Sequence, residues 1–125
     1  MEYKFIIQGR MPDLNDYLKA CNQHYQKGAT MKRENMDIAI WSIREHLKRL
    51  HIDKPVKLTY LFVETNRKRD RDNVASFGHK VIQDALVKAN VLNNDGWKEI
   101  LGYSDDFIVD KGNPRIEVTI TEVGG

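Results

Sequence analysis

Two carboxylates two residues apart, Asp70 and Asp72, stand inside the charged run Asn66-Arg67-Lys68-Arg69-Asp70-Arg71-Asp72-Asn73. In extended chain, residues two apart project to the same side. Like charges so placed repel by roughly 0.2–1 kcal/mol. A hard divalent cation, magnesium above all, turns that repulsion into binding because it takes oxygen ligands. The ordinary alternative makes Asp72 the N-cap of the helix that follows and Asp70 a surface partner for Arg69. Beside the acids stand four cations, Arg67, Lys68, Arg69 and Arg71. Cations adjoining a metal-binding acid pair suit a phosphodiester, since they hold the backbone while the metal meets one phosphate. The ordinary alternative is a solvated charged loop. Lys32 and Arg33 are expected to add to the same surface. A second polar group, Lys80 and Asp84, lies four residues apart on the next helix, on the side of Asn73 and Ser76 and away from Val81 and Ala85. It reads either as an i,i+4 ion pair worth ~0.3–0.5 kcal/mol, in the less favoured order, or as a polar face lining an acidic site.

Other chemistries find little support. There is no glycine-rich phosphate loop, and no serine sits in a nucleophile elbow. His46 and His51 are five apart, while His24 and His79 stand alone. Cys21 is the one cysteine, which excludes an internal disulfide and a cysteine zinc cluster and reads as a small buried thiol. The net charge of +2 excludes a histone-like polybasic binder but not a local basic patch. With 41% hydrophobic and 30% charged residues the chain has globular composition, and 125 residues predict a single domain spanning residues 1–125. No apolar run reaches membrane-spanning length, and Met1-Glu2-Tyr3-Lys4-Phe5 lacks a signal-peptide core. An intracellular, cytoplasmic setting is the expectation.

The elements that must carry these residues follow from periodicity. Tyr3, Phe5 and Ile7 alternate with Lys4, Ile6 and Gln8 as a first strand, and Gly9 to Asn15 reads as a loop. Asp16 to Tyr25 predicts a short helix ended by Lys27-Gly28. Met36, Ile40, Ile43, Leu47 and Leu50 form the apolar stripe of a helix from about Thr30, its expected N-cap, to Leu50. Trp41, beside that stripe, reads as core or dimer-contact packing. Val56, Leu58, Tyr60 and Phe62 predict a strand central in its sheet, because the alternate face is also partly apolar. Asn73 to Asn90 predicts a helix with Val74, Phe77, Val81, Ala85 and Ala89 on one side. Asn93-Asn94-Asp95-Gly96 is a turn. Ile100 to Tyr103 and Phe107 to Val109 are apolar patches, and Asp110-Lys111-Gly112-Asn113 has hairpin-turn composition. Ile116, Val118 and Ile120 make a last strand. The expected class is α+β, in the order β-α-α-β-α-β-β around a small mixed sheet.

Taken together, Arg69-Asp70-Arg71-Asp72-Asn73, then Lys80 through Asp84-Ala85-Leu86 to Ala89, then Val91 to Asn94-Asp95, resemble the RusA family of Holliday-junction resolvases, the crossover junction endodeoxyribonucleases. The likeness extends to Pro12 and Asn15 and to Val109-Asp110-Lys111 with Asn113-Pro114-Arg115-Ile116-Glu117-Val118. It implies a homodimeric, magnesium-dependent nuclease, with manganese as a substitute, that cuts four-way DNA junctions by paired nicks in recombination and repair. It also implies that Asp70, Asp72 and Asp95 bind the metal, that Lys80 is the basic residue of the active site, and that the setting is bacterial or phage. Arg67, Lys68, Arg69 and Arg71 are the expected DNA contacts. Two departures stand out. Better-known members carry their lysine one helical turn after the second aspartate, where this chain has Ser76, and Asn94 precedes Asp95 where many members have two acids. The rival readings are a non-catalytic branched-DNA-binding module and a metal nuclease acting on flaps.

Overall fold

The computed structural model describes residues 1–124. Its elements are β1 (Glu2–Gln8), α1 (Leu14–Gln23), α2 (Tyr25–Leu47), β2 (Val56–Glu64), α3 (Arg71–Lys88), β3 (Ile100–Val109) and β4 (Arg115–Glu122). This is the expected α+β order. The four strands form one mixed sheet in the order β1-β4-β2-β3. β1 and β2 each run antiparallel to β4, and β3 runs parallel to β2. β2 is therefore interior, as its two apolar faces suggest. On the covered face Phe5, Ile7, Val56, Leu58, Tyr60, Phe62, Ile116, Val118 and Ile120 are buried, whereas their neighbours Lys4, Lys57 and Thr59 are exposed. Each large side chain so buried contributes ~1.5–3 kcal/mol.

The residues Asp110 to Asn113 do not make a hairpin, since β3 and β4 are separated by β2. The turn instead crosses the carboxyl end of β2, where the Asp110 N–H donates to the Glu64 carbonyl at 2.9 Å. The two apolar patches of the third strand are one continuous element, Ile100–Val109. Composition shows that a turn is present, but the strand it returns to depends on which edge remains open.

The helical hairpin differs from the expectation at its joints. α1 starts at Leu14, capped by Asp13 in a reciprocal box with Asp16. Lys27-Gly28 does not end it. The break is His24, whose extended backbone separates the two helices and whose Nδ1 accepts from the Gln26 N–H at 3.1 Å. α2 thus begins five residues before Thr30, which caps nothing. Gly28 is buried within α2. A Cβ there would lie 2.2 Å from Cys21 Sγ, so the glycine allows α1 and α2 to approach. Cys21 is half-buried, not fully so. Trp41 is 76% exposed and does not belong to the core. Leu50 lies beyond the end of α2 yet packs on the core.

α3 presses onto the sheet through Val74, Phe77, Gly78, Val81, Ile82, Ala85 and Leu86, all buried. A Cβ at Gly78 would stand 2.8 Å from Phe62 Cε1, so helix and strand meet closely there. β2, α3 and β3 form a parallel strand–helix–strand unit. Crevices at the carboxyl ends of such strands, facing the helix N-terminus, are where open α/β units bind ligands.

Candidate active site

Such a crevice is present. Its walls include Glu64, Asn66, Arg67, Arg69, Asp70, Arg71, Val74 and Phe107 to Val109, and its volume is about 420 Å³. Asp70 occupies the N-cap position of α3 in extended backbone, φ −68° and ψ 140°, but its side chain caps nothing. Asp72 is one step inside the first turn and is exposed. The two carboxylates are therefore not flanking residues of one extended segment: one precedes the helix and the other begins it. Both remain at the amino end of α3, where the helix dipole favours negative charge.

Neither ordinary role holds. Asp72 is not the N-cap, and the partner of Arg69 is not Asp70. Among the described residues neither carboxylate has a side-chain hydrogen bond or ion pair. Two exposed acids without internal partners fit the donor set magnesium prefers, one or two carboxylates completed by substrate phosphate and water.

Arg69 is occupied instead by the fold. Its Nε and Nη2 donate to Glu64 Oε1 and Oε2 at 2.8 and 2.9 Å, and Nη1 donates to the Met11 carbonyl at 2.9 Å. The guanidinium thus ties the β1–α1 loop to the segment carrying the acids. Arg67, Lys68 and Arg71 remain exposed on the rim. The Arg71 guanidinium stands 5.7 Å from the centre of the Phe107 ring, in cation–π contact.

Asp95 and Lys80 are elsewhere. Asp95 lies in a cleft with Lys32, Arg33, Asp84 and Lys88, toward the carboxyl end of α3. From Asp72 to Asp84 the helix rises about 18 Å, and from Asp72 to Lys80 about 12 Å. One protomer does not bring the three aspartates together, and no group of three or more potential metal ligands occurs among the described residues. Lys32 and Arg33 belong to this second cleft, not to the rim of the first. There Lys32 Nζ is 3.1 Å and Lys80 Nζ 3.7 Å from Asp84 Oδ2. Asp84 is thus the anion shared by two lysines.

One pair had no signature in the sequence. His79 Nε2 lies 2.7 Å from Asp105 Oδ1, beside the rings of Tyr60 and Tyr103 at 4.6 and 4.4 Å between centroids. Burial pushes the Tyr60 phenol well above its usual range, so it stays protonated, and it accepts a hydrogen bond from Gln83 at 3.2 Å. These contacts fix α3 against β3. Twenty-six residues separate His79 from Asp105, and only the β2–β3 register aligns them.

Among the described residues no helix is long and apolar enough to cross a membrane. A search of curated proteins finds no match to the chain. The model of the family described as Endodeoxyribonuclease RusA matches residues 5–121, a span that contains the unpartnered acids, their cationic rim and the second cleft. With nearly the whole fold inside that match, the chain belongs to the RusA family of endodeoxyribonucleases.

Proposed function

We propose that the protein is a homodimeric nuclease that cuts four-way DNA junctions with a divalent metal, magnesium or manganese, in recombination and repair. The observation that carries this reading is the pair Asp70 and Asp72, carboxylates with no internal partner at the head of α3, set among Arg67, Lys68 and Arg71. Asp70 and Asp72 would hold the metal, with Asp95 as the third carboxylate. When bound, the ion would supply Lewis acidity at the scissile phosphate. Arg67, Lys68 and Arg71 hold flanking phosphates and set the strand's register, contacts that position without reading bases. Lys80, about 12 Å along the helix from Asp72, meets a neighbouring phosphate more readily than the one beside Asp72.

Dimerisation has two supports. A four-way junction has two-fold symmetry, and a C2 dimer presents two equivalent sites to opposing strands. The separation of Asp95 from Asp70 and Asp72 within one chain also leaves the acid set open unless a second chain contributes.

The test is cleavage of a labelled synthetic four-way junction in magnesium or manganese, beside linear duplex and flap controls. Symmetric paired nicks in the junction alone, lost in Asp70→Asn and Asp72→Asn with binding retained, are expected. Tight binding without cleavage at any metal concentration would return the protein to a branched-DNA-binding module. Cleavage favouring flaps would move the substrate class.

A further inference from the structure

α2 and α3 end beside one another. A cavity of about 660 Å³ there is lined by Arg44, Lys48 and Arg49 from the end of α2 and by Ala89 and Asn90 from the end of α3. From Asp72 to Ala89 the helix rises about 26 Å, so the cavity is remote from the acids at the other end of α3. A cation at the end of a helix is ordinarily explained by the helix dipole. That accounts for Arg44, in the last turn of α2, but not for three cations around one hollow. None of the three is in an ion pair among the described residues. The crevice at Asp70 and the cleft at Asp84 both have carboxylates in their walls, whereas this cavity has none. Asp53, on the loop that follows, is held by His51 at 3.0 Å and Asn93 at 3.2 Å.

The backbone supplies a second observation. Lys48 has φ 59° and ψ −124°, and the Leu50 N–H donates to the Leu47 carbonyl across it at 3.1 Å. These are the angles of the first central residue of a type II′ turn, a position that glycine fills because a β-carbon is crowded there. Lys48 and Asn90 are the two non-glycine residues with positive φ among the described residues, and both line this cavity. Asn90 is ordinary, since asparagine is accepted just past a helix end. A lysine where glycine fits better is retained for its side chain, and such strain concentrates where ligands are held.

Resting on the nuclease reading above, we propose that this cavity is a second phosphate site, which holds the backbone of a junction arm away from the cut. Two guanidinium groups offer paired N–H donors to phosphate oxygens, and the lysine adds a point charge. A small phosphate-bearing metabolite needs a surface for the rest of its body, and the wall offers one alanine and no ring. A nucleic-acid backbone presents phosphates alone. One strand of duplex carries a charge about every 3.4 Å, so 26 Å corresponds to about eight phosphates from the one beside Asp72. Contacts there hold the arm's direction without reading its bases.

Lys48→Gly separates this site from a merely structural cluster, because it relieves the backbone while removing the charge. The variant should melt no lower than the parent. Its binding to a labelled four-way junction, measured by anisotropy without divalent metal, should show a slope of log K against log salt smaller by about 0.9. The triple variant Arg44→Ala, Lys48→Gly, Arg49→Ala should lower the slope by about 1.8–2.7, for two or three phosphates. Hydroxyl-radical footprinting on a long-armed junction should show protection about eight nucleotides from the crossover. The triple variant should lose that protection and keep the one at the crossover. A stable triple variant with unchanged slope and footprint would overturn the proposal, as would a Lys48→Gly protein that melts lower with its DNA binding intact. Inorganic pyrophosphate bound by the parent but not by Lys48→Gly, with the arm footprint unaffected, would give the cavity to a small anion and equally overturn the arm site. Loss of slope and footprint in a protein that cuts no junction would leave the arm site standing and remove the nuclease reading instead.

Discussion

Arg69 separates two accounts of the basic cluster, and its replacement by alanine can be worked through. The side chain is 14% exposed and that of Glu64 12%. Its three hydrogen bonds, two to Glu64 and one to the Met11 carbonyl, are 2.8–2.9 Å long. Hydrogen bonds to charged groups contribute ~1.5–3 kcal/mol each in net terms. Removing one member of a buried pair costs ~3–5 kcal/mol, and an exposed pair is worth ~0–1. Here the pair is mostly but not wholly buried, and Arg10 Nη2, 3.7 Å from Glu64 Oε1, stays to offset the stranded carboxylate. Arg69→Ala is therefore expected to lose about 2–3 kcal/mol of unfolding free energy in urea, between the buried and exposed limits. A double-mutant cycle with Glu64→Ala should return a coupling of roughly 1–2 kcal/mol. Salt titration of junction binding supplies the other half of the test. Each phosphate contact to duplex adds ~0.9 to the slope of log K against log salt. Arg67→Ala should lower that slope by about 0.9, and Arg69→Ala should leave it unchanged. An Arg69→Ala protein as stable as the parent, with the slope reduced, would refute the clamp and make Arg69 a phosphate contact.

Other outcomes follow from the same structure. Magnesium should raise the melting temperature of the parent protein without DNA, through a stabilisation of about 1.4 kcal/mol at ten times the dissociation constant. Calorimetry of Asp70→Asn and Asp72→Asn should show that gain lost. Gly28→Ala should cost ~1–3 kcal/mol in urea unfolding, because the new methyl meets Cys21 Sγ, and Cys21→Ala in the same chain should recover part of it. Hydrogen bonds from Lys4 and then Arg115 hold the Glu117 carboxyl below its ordinary 4.5. A carboxyl lowered in the folded state adds stability that is fully present above the unfolded value and is lost as pH falls through the folded one. The stability gap between the parent and Glu117→Gln, followed by thermal melts from pH 7 downward, should hold to about 4.5 and then close. A gap that widens in acid would contradict this arrangement.

What the sequence settled by itself is what depends on local pattern. Alternation at Val56 to Phe62 and Ile116 to Ile120, and helical spacing at Met36 to Leu47 and Val74 to Ala85, placed strands, helices and the α+β class, because burial on one face must recur with the period of the backbone. The Asp70-Arg71-Asp72-Asn73 run and its later companions indicated the family because those side chains are specified by chemistry rather than packing. What only the tertiary structure decided depends on contacts between distant segments. Arg69 looked like its three neighbouring cations until Glu64 and the β1–α1 loop took its donors. Lys27-Gly28 looked like a stop until Cys21 filled the space of the missing Cβ. The turn after Val109 had hairpin composition, but β4 pairs with β2 and β1, and β3 is left as an open edge. Asp95 is joined to Asp70 and Asp72 by motif, while the length of α3 holds it apart from them in space. Local pattern carries information over a few residues, whereas the partner of a side chain and the edge of a sheet depend on how the whole chain closes.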